Sequence, residues 1–177
     1  MRALARGGRL SLHAPSARDR EEFLAAVERS RRLHGRWVAP PADAQAFAAY
    51  LERVGRDDAV GLLARRDDDA VLVGALTLSQ IVRGPFRSAY LGYYAFAPHQ
   101  ERGFMTEALD LTLRYAFGTL RLHRVEANVQ PGNAASIALV RRCGLRLEGF
   151  SPRYLKVGGR WRDHERWAIT VEDRHRA

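Results

Sequence analysis

The chain has 177 residues, of which 46% are apolar and 28% charged, a balance that fits one soluble globular domain with a substantial core and excludes a disordered chain. Its apolar runs are only a few residues long, too short to span a bilayer, and a single cysteine, Cys143, excludes an internal disulfide and a cysteine-rich zinc site. The formal net charge is +9 and rests on arginine, since Lys156 is the only lysine among 29 basic residues.

That charge has two readings: an arginine-rich coding composition with no functional meaning, or attraction to an anion such as a nucleotide cofactor, an acidic substrate or RNA. The basic residues are spread along the chain and form no nucleic-acid motif, so contact with nucleic acid is expected only indirectly if at all. The opening MRALARGGRLSLHAP lacks an apolar core of signal-peptide length, and a cytoplasmic location is expected. No two histidines stand at helical His-x-x-x-His spacing, and no metal is expected.

In chain order, RLSLH (9–13) predicts a first strand. SARDREEFLAAVERSRRLHG (16–35) predicts one helix with Phe23, Leu24 and Val27 on its apolar face. PADAQAFAAYLERVG predicts a second, with Asp43 as N-cap and Phe47, Tyr50, Leu51 and Val54 as its stripe. AVGLLARR and AVLVGALTLSQI read as strands joined by a polar hairpin, and SAYLGYYAFA as a third. A helix apolar around much of its girth follows Gly103. HRVEANV then reads as a strand, NAASIALVRRC as a helix, and LRLEGFSPRYLKV with RWRDHERWAITV as an antiparallel pair joined at Gly158-Gly159. Cys143, before a glycine at that helix's end, reads as a small buried filler. This order predicts an α/β fold: a mixed, mostly antiparallel sheet with one central parallel pair, flanked by helices. The parallel strands are those ending at Phe96 and spanning 124–129.

Between them lies AFAPHQERGFMTEAL (95–109), where a strand turns into a helix through Gly103. Glycine removes a Cβ from the path of a ligand, the first-turn amides lack internal acceptors, and the helix dipole is positive at this end. With Arg102 beside it, the turn suits a diphosphate. The alternative is a plain strand-to-helix turn that glycine merely eases.

Gln100-Glu101-Arg102-Gly103-Phe104-Met105 resembles the Gln-x-x-Gly-x-[Gly/Ala] signature of the GCN5-related N-acetyltransferase (GNAT) superfamily, with Met105 in place of the small last residue. GFMTEAL, PGNAASIALVRRCGLRLEGF and GGRWRDHERWAI are similar in order and spacing to the blocks of the RimJ/RimL-type ribosomal-protein N-terminal acetyltransferases, over about residues 85–170. The resemblance implies a GNAT fold with a splayed parallel pair, acetyl-coenzyme A as cosubstrate, and an amine acceptor. That acceptor is a protein or peptide N-terminus, or alternatively a small amine such as an amino acid, polyamine or antibiotic. A basic RNA-binding protein of the same fold without catalysis is the remote alternative, and a homodimer is the family-level expectation.

By the same resemblance, Gln100 and the amides from Arg102 through Gly103, Phe104 and Met105 to Thr106 hold the pyrophosphate. Ala95, Phe96 and Ala97 pair with the pantetheine arm, and Asn133 holds that arm from the other side while capping the helix after it. Ser136 is the first candidate acid for the leaving thiolate, its alternative being a local cap, and Tyr154 is the second. The carboxylate bases of related enzymes fall on Leu155 and Asn128 here. Glu126, Asp163 and Glu165 remain as base candidates, with Asp163 preferred. Trp37, Tyr93, Tyr94, Tyr154 and Trp161 are candidates for an acceptor slot, against ordinary core packing.

Overall fold

The computed structural model describes residues 3–174. Strands β1 (Ala5–Gly7) and β2 (Leu10–His13) are followed by a 3-10 turn (Ala17–Asp19) and helices α1 (Arg20–Arg29), α2 (Arg31–His34) and α3 (Ala44–Val54). Next come β3 (Val60–Arg66), β4 (Leu72–Val82), β5 (Ser88–Ala95), α4 (Phe104–Gly118), β6 (Arg124–Val129) and α5 (Ala134–Arg142). β7 (Arg146–Val157), β8 (Arg160–Thr170) and the short α6 (Val171–Arg174) complete it.

The strands form one eight-stranded sheet in the order β1-β2-β3-β4-β5-β6-β8-β7. Every neighbouring pair is antiparallel except β5 and β6, as the strand–helix–strand unit through α4 requires. Both faces of the sheet are covered. Leu109, Leu111 and Leu113 of α4 and Val140 of α5 pack with Leu62, Leu76 and Val125 on one face. Phe23 of α1 and Phe47 and Tyr50 of α3 pack with Leu63, Ala75 and Phe96 on the other. Successive residues of β3 thus belong to opposite cores, which is why its sequence is a continuous apolar run without alternation.

The expected N-cap is present: the Asp43 carboxylate accepts from the Ala46 amide at 2.8 Å. The hairpin glycines Gly158 and Gly159 have φ of +56° and +79°, the double positive φ of a tight two-residue turn. The helix expected over 16–35 is instead three pieces, broken at Ser30. The buried Ser30 hydroxyl donates to the Ala26 carbonyl at 2.6 Å and accepts from the Ala97 amide at 2.9 Å. A serine bonding back to its own helix bends it, and here the bend fastens α1 and α2 to the end of β5. The strand expected at 9–13 is also preceded by β1, which pairs back on it through a turn at Gly8-Arg9.

Candidate active site

The turn before α4 has the backbone its sequence demands. Gly103 is the N-cap with φ +80° and ψ −5°, a left-handed conformation unfavourable for a side-chain-bearing residue. The first helical backbone bond runs from the Glu107 amide to the Gly103 carbonyl at 3.1 Å, so the amides of Phe104, Met105 and Thr106 have no acceptor within the helix. Gln100, Arg102 and Gly103 are exposed. Together they form an open, positively polarised cradle with the chemistry to receive an anion.

The side chains around the cradle brace it. The Glu107 carboxylate takes the Arg9 backbone amide and, at 3.2 Å, the Arg9 Nε, which ties the β1–β2 turn to the first turn of α4. The Arg9 guanidinium also lies 4.5 Å from the Phe104 ring centroid and donates to the Arg102 carbonyl at 3.3 Å. Phe104 therefore anchors the turn with its ring and offers a ligand only its amide. Met105 fills the place where the family signature has a small residue because β4 gives way: a Cβ on Gly74 would come within 2.4 Å of Met105 Sδ. The Thr106 hydroxyl accepts from Arg142 at 3.3 Å and its carbonyl from Cys143 Sγ at 3.7 Å. Burial raises the Cys143 thiol to about 11, consistent with an inert, half-buried filler.

β5 and β6 pair only over Ser88–Tyr90 with Arg124–Glu126. Beyond this they splay, although β5 runs on to Ala95 and β6 to Val129. The gap therefore begins at Leu91 and Ala127, nearer the sheet centre than the Ala95–Ala97 stretch singled out in the sequence. That stretch already spends several backbone groups inside the fold. The Ala95 carbonyl accepts from His34 Nε2 at 2.8 Å, the Phe96 amide donates to Val73 at 2.9 Å, and the Ala97 amide is held by Ser30.

Across the gap, at the start of α5, Asn133 Oδ1 accepts from the Ser136 amide at 3.2 Å, the local cap expected of it. The Ser136 hydroxyl lies 2.5 Å from the Tyr93 hydroxyl of β5. Burial pushes the Tyr93 phenol well above its ordinary value, so it stays protonated at any physiological pH. Tyr94 points to the opposite face and packs edge-on against Phe23 and Phe96; it belongs to the core rather than to a slot.

The third margin is the face of β6 and β8 carrying Glu126, Asn128, His164 and Arg166, since Asn128 and Arg166 are register partners. Asn128 Oδ1 and Arg166 Nε are buried without a partner. The Arg166 guanidinium lies over Gly149, where a Cβ would come within 2.5 Å of its terminal nitrogen. Glu126 is paired with Arg124 Nε at 2.9 Å. Tyr90 stands over the same face, its phenol raised to about 12 chiefly by the hydrogen bond with Tyr154, then by burial. Asp163 accepts from the Arg153 amide at 2.7 Å, holding a bulge in β7. It also lines a cavity of about 280 Å³ with Arg36, Trp37, Gln130, Trp161 and Arg162.

The three catalytic candidates are thus not one constellation. Ser136 pairs with Tyr93, Tyr154 with Tyr90, and Asp163 with the β7 backbone. Sequence reasoning missed the hydroxyl pair, because nothing in spacing links Tyr93 to a residue 43 positions away. It also missed Arg9, whose grip on α4 spans 98 positions.

Residues 9–146 match the acetyltransferase (GNAT) domain. A probable N-acetyltransferase, YjcK of Bacillus subtilis (strain 168), is 38% identical over 126 residues, 70% of this chain and 68% of that protein. The [ribosomal protein uS5]-alanine N-acetyltransferase of Escherichia coli (strain K12) is 40% identical over 106 residues, 60% of this chain and 55% of that protein. Among solved structures, Mycobacterium smegmatis RimJ in complex with CoA-disulfide superposes with a TM-score of 0.84 at 28% identity, covering 93% of this chain and 83% of that one. A Vibrio cholerae spermidine N(1)-acetyltransferase is 25% identical over 149 residues, 83% of this chain and 85% of that protein. With the domain match spanning most of its length and the splayed pair in place, the chain belongs to the GNAT family of acetyltransferases.

Proposed function

We propose that the protein transfers the acetyl group of acetyl-coenzyme A to the α-amine of a protein or peptide N-terminus, in the cytoplasm, with a ribosomal protein as the type of acceptor. The observation that carries this reading is the β5–β6 gap, which ends at an α4 whose first amides are open. The cradle from Arg102 to Thr106, with Gln100 beside it, holds the pyrophosphate. The gap-facing backbone of β5 past Tyr90 and the Asn133 amide hold the pantetheine arm. The coenzyme supplies a thioester carbonyl open to attack by an amine.

The Tyr93 hydroxyl keeps its proton while directing it in a hydrogen bond to Ser136 Oγ, which leaves the Ser136 proton pointing away from Tyr93 and available to the departing sulfur; the proton that the amine releases to water restores the serine hydroxyl. Asn128, at a position where related enzymes carry a carboxylate base, has only an amide and cannot take the amine's proton. An α-amine of pKa about 8 is roughly one-quarter neutral at about pH 7.5, against about 0.1% for a lysine-like amine of pKa about 10.4. An N-terminus therefore needs only a water to carry its proton away.

The test is thiol release from acetyl-coenzyme A with peptides beginning Ala, Ser or Met beside a panel of small amines that includes spermidine. Turnover with peptides, acetylated at the α-amine, supports the reading. Turnover confined to small amines overturns it.

A further inference from the structure

The cavity beside the loop into α5 is built from three chain segments. The loop after α2 brings Arg36 and Trp37, the loop into α5 brings Gln130 and Gly132, and β8 brings Trp161 and Arg162. The loops are fixed to each other. Gln130 Nε2 donates to the Trp37 carbonyl at 3.1 Å, and the Trp37 ring sits 3.2 Å from where a Gly132 Cβ would be. Arg36 lies with its guanidinium 4.6 Å over the Trp37 ring. Trp161 is 62% exposed at the rim of this cavity.

The charges here differ from those elsewhere on the same strands. At the far end of β6, β7 and β8, Arg124 and Arg146 are locked to Glu126, Glu148 and Asp173. At the cleft end, Arg36, Arg162 and Arg166 form no ion pair among the described residues, and Nε of both Arg162 and Arg166 is buried without a hydrogen-bond acceptor. The one carboxylate in the cavity wall, Asp163, has an oxygen committed to the Arg153 amide. With no ion-pair partner, Arg36 and Arg162 leave the cavity wall positively charged, and carboxylates of a bound acceptor would complement that charge.

We propose that this cavity selects acceptors whose N-terminal segment is acidic: Trp37 and Trp161 flank the chain behind the amine, while Arg36 and Arg162 pair with carboxylates in its first few residues. The inference rests on the peptide reading above. It makes Arg36 and Arg162 specificity-determining residues and sets a polyamine acceptor, cationic along its length, against the local field.

Three peptides sharing an N-terminal serine and differing next in Asp/Glu, Gln or Lys/Arg test it, with spermidine as a fourth acceptor. At about 50 mM salt, kcat/KM should fall by roughly tenfold from acidic to basic peptide, mostly through KM, and the spread should shrink at about 500 mM as charges are screened. The Arg36→Glu/Arg162→Glu double variant should invert the order. An Arg83→Glu variant, altering net charge on the loop between β4 and β5, should preserve it. Equal rates for the three peptides, or a preference that Arg83→Glu erases as fully as the double variant, overturns the acidic selection while leaving peptide acetylation standing. Turnover of spermidine with none of the peptides overturns the peptide reading itself.

Discussion

Removing the Tyr93 hydroxyl isolates the proton-delivery argument. Tyr93→Phe keeps the ring and its packing, and deletes only the partner 2.5 Å from Ser136 Oγ. A net hydrogen bond is worth about 0.5–1.5 kcal/mol, so kcat should fall by roughly 2- to 13-fold with the KM for acetyl-coenzyme A nearly unchanged. Ser136→Ala removes the donor itself and should cost on the order of 100-fold in kcat, the lower end of what a positioned acid contributes. Because Tyr93 acts through Ser136, the double variant should be no slower than Ser136→Ala alone, a coupling that a double-mutant cycle reads directly. Steady-state thiol release with a saturating peptide acceptor measures all four proteins, and a thermal scan confirms that each is folded. Additive losses would refute the coupling, and an unchanged kcat in Ser136→Ala would refute the assignment of Ser136 as acid.

Other predictions address the cradle, the packing beneath it and the buried histidines. Gly103→Val places a β-branched residue at φ +80°, at a cost of about 1–2 kcal/mol; acetyl-coenzyme A affinity by calorimetry should fall by roughly 5- to 30-fold, whereas Gly103→Asn, which tolerates this conformation, should retain most of it. Gly74→Ala puts a methyl 2.4 Å from Met105 Sδ and 3.1 Å from the Tyr94 carbonyl; overpacking of about 1–3 kcal/mol should lower Tm by several degrees, and an unchanged Tm would show that Met105 moves freely. Burial lowers the pKa of His13, His34 and His164 below the ordinary 6.5, as its largest cause in each. Below about pH 6.5 the unfolded chain gains protons that the fold refuses, so stability is complete above that pH and declines as pH falls. Tm should drop between about pH 7.5 and 5.5, and His34→Gln should flatten the slope; a Tm that holds or rises would contradict the sign.

Local chemistry made much of the fold legible in the chain. The N-cap at Asp43, the Gly158-Gly159 turn and the strand–glycine–helix order at Gly103 each depend on residues within a few positions, and each has the expected geometry. What the chain hid depends on distant partners. The break at Ser30 exists because its hydroxyl serves both Ala26 and Ala97, and no periodicity records the second of these. β1 has only three residues, and the turn that pairs it with β2 is held by Glu107 on another element. In the site, Gly103 and Asn133 were readable because they answer to their own helix ends. Tyr93 opposite Ser136 depends on how α5 packs on β5, and Arg166 over Gly149 and the orphaned Asn128 oxygen on the sheet register.

One peptide tests transfer to an α-amine directly. A peptide beginning with serine, acidic in its next residues and carrying one internal lysine, offers both kinds of amine to the enzyme at about pH 7.5 with acetyl-coenzyme A. Fragmentation mass spectrometry of the product locates the added acetyl group. Acetylation is expected at the N-terminal serine, with the lysine untouched. Acetyl on the lysine side chain, or no product while spermidine is consumed under the same conditions, would contradict it.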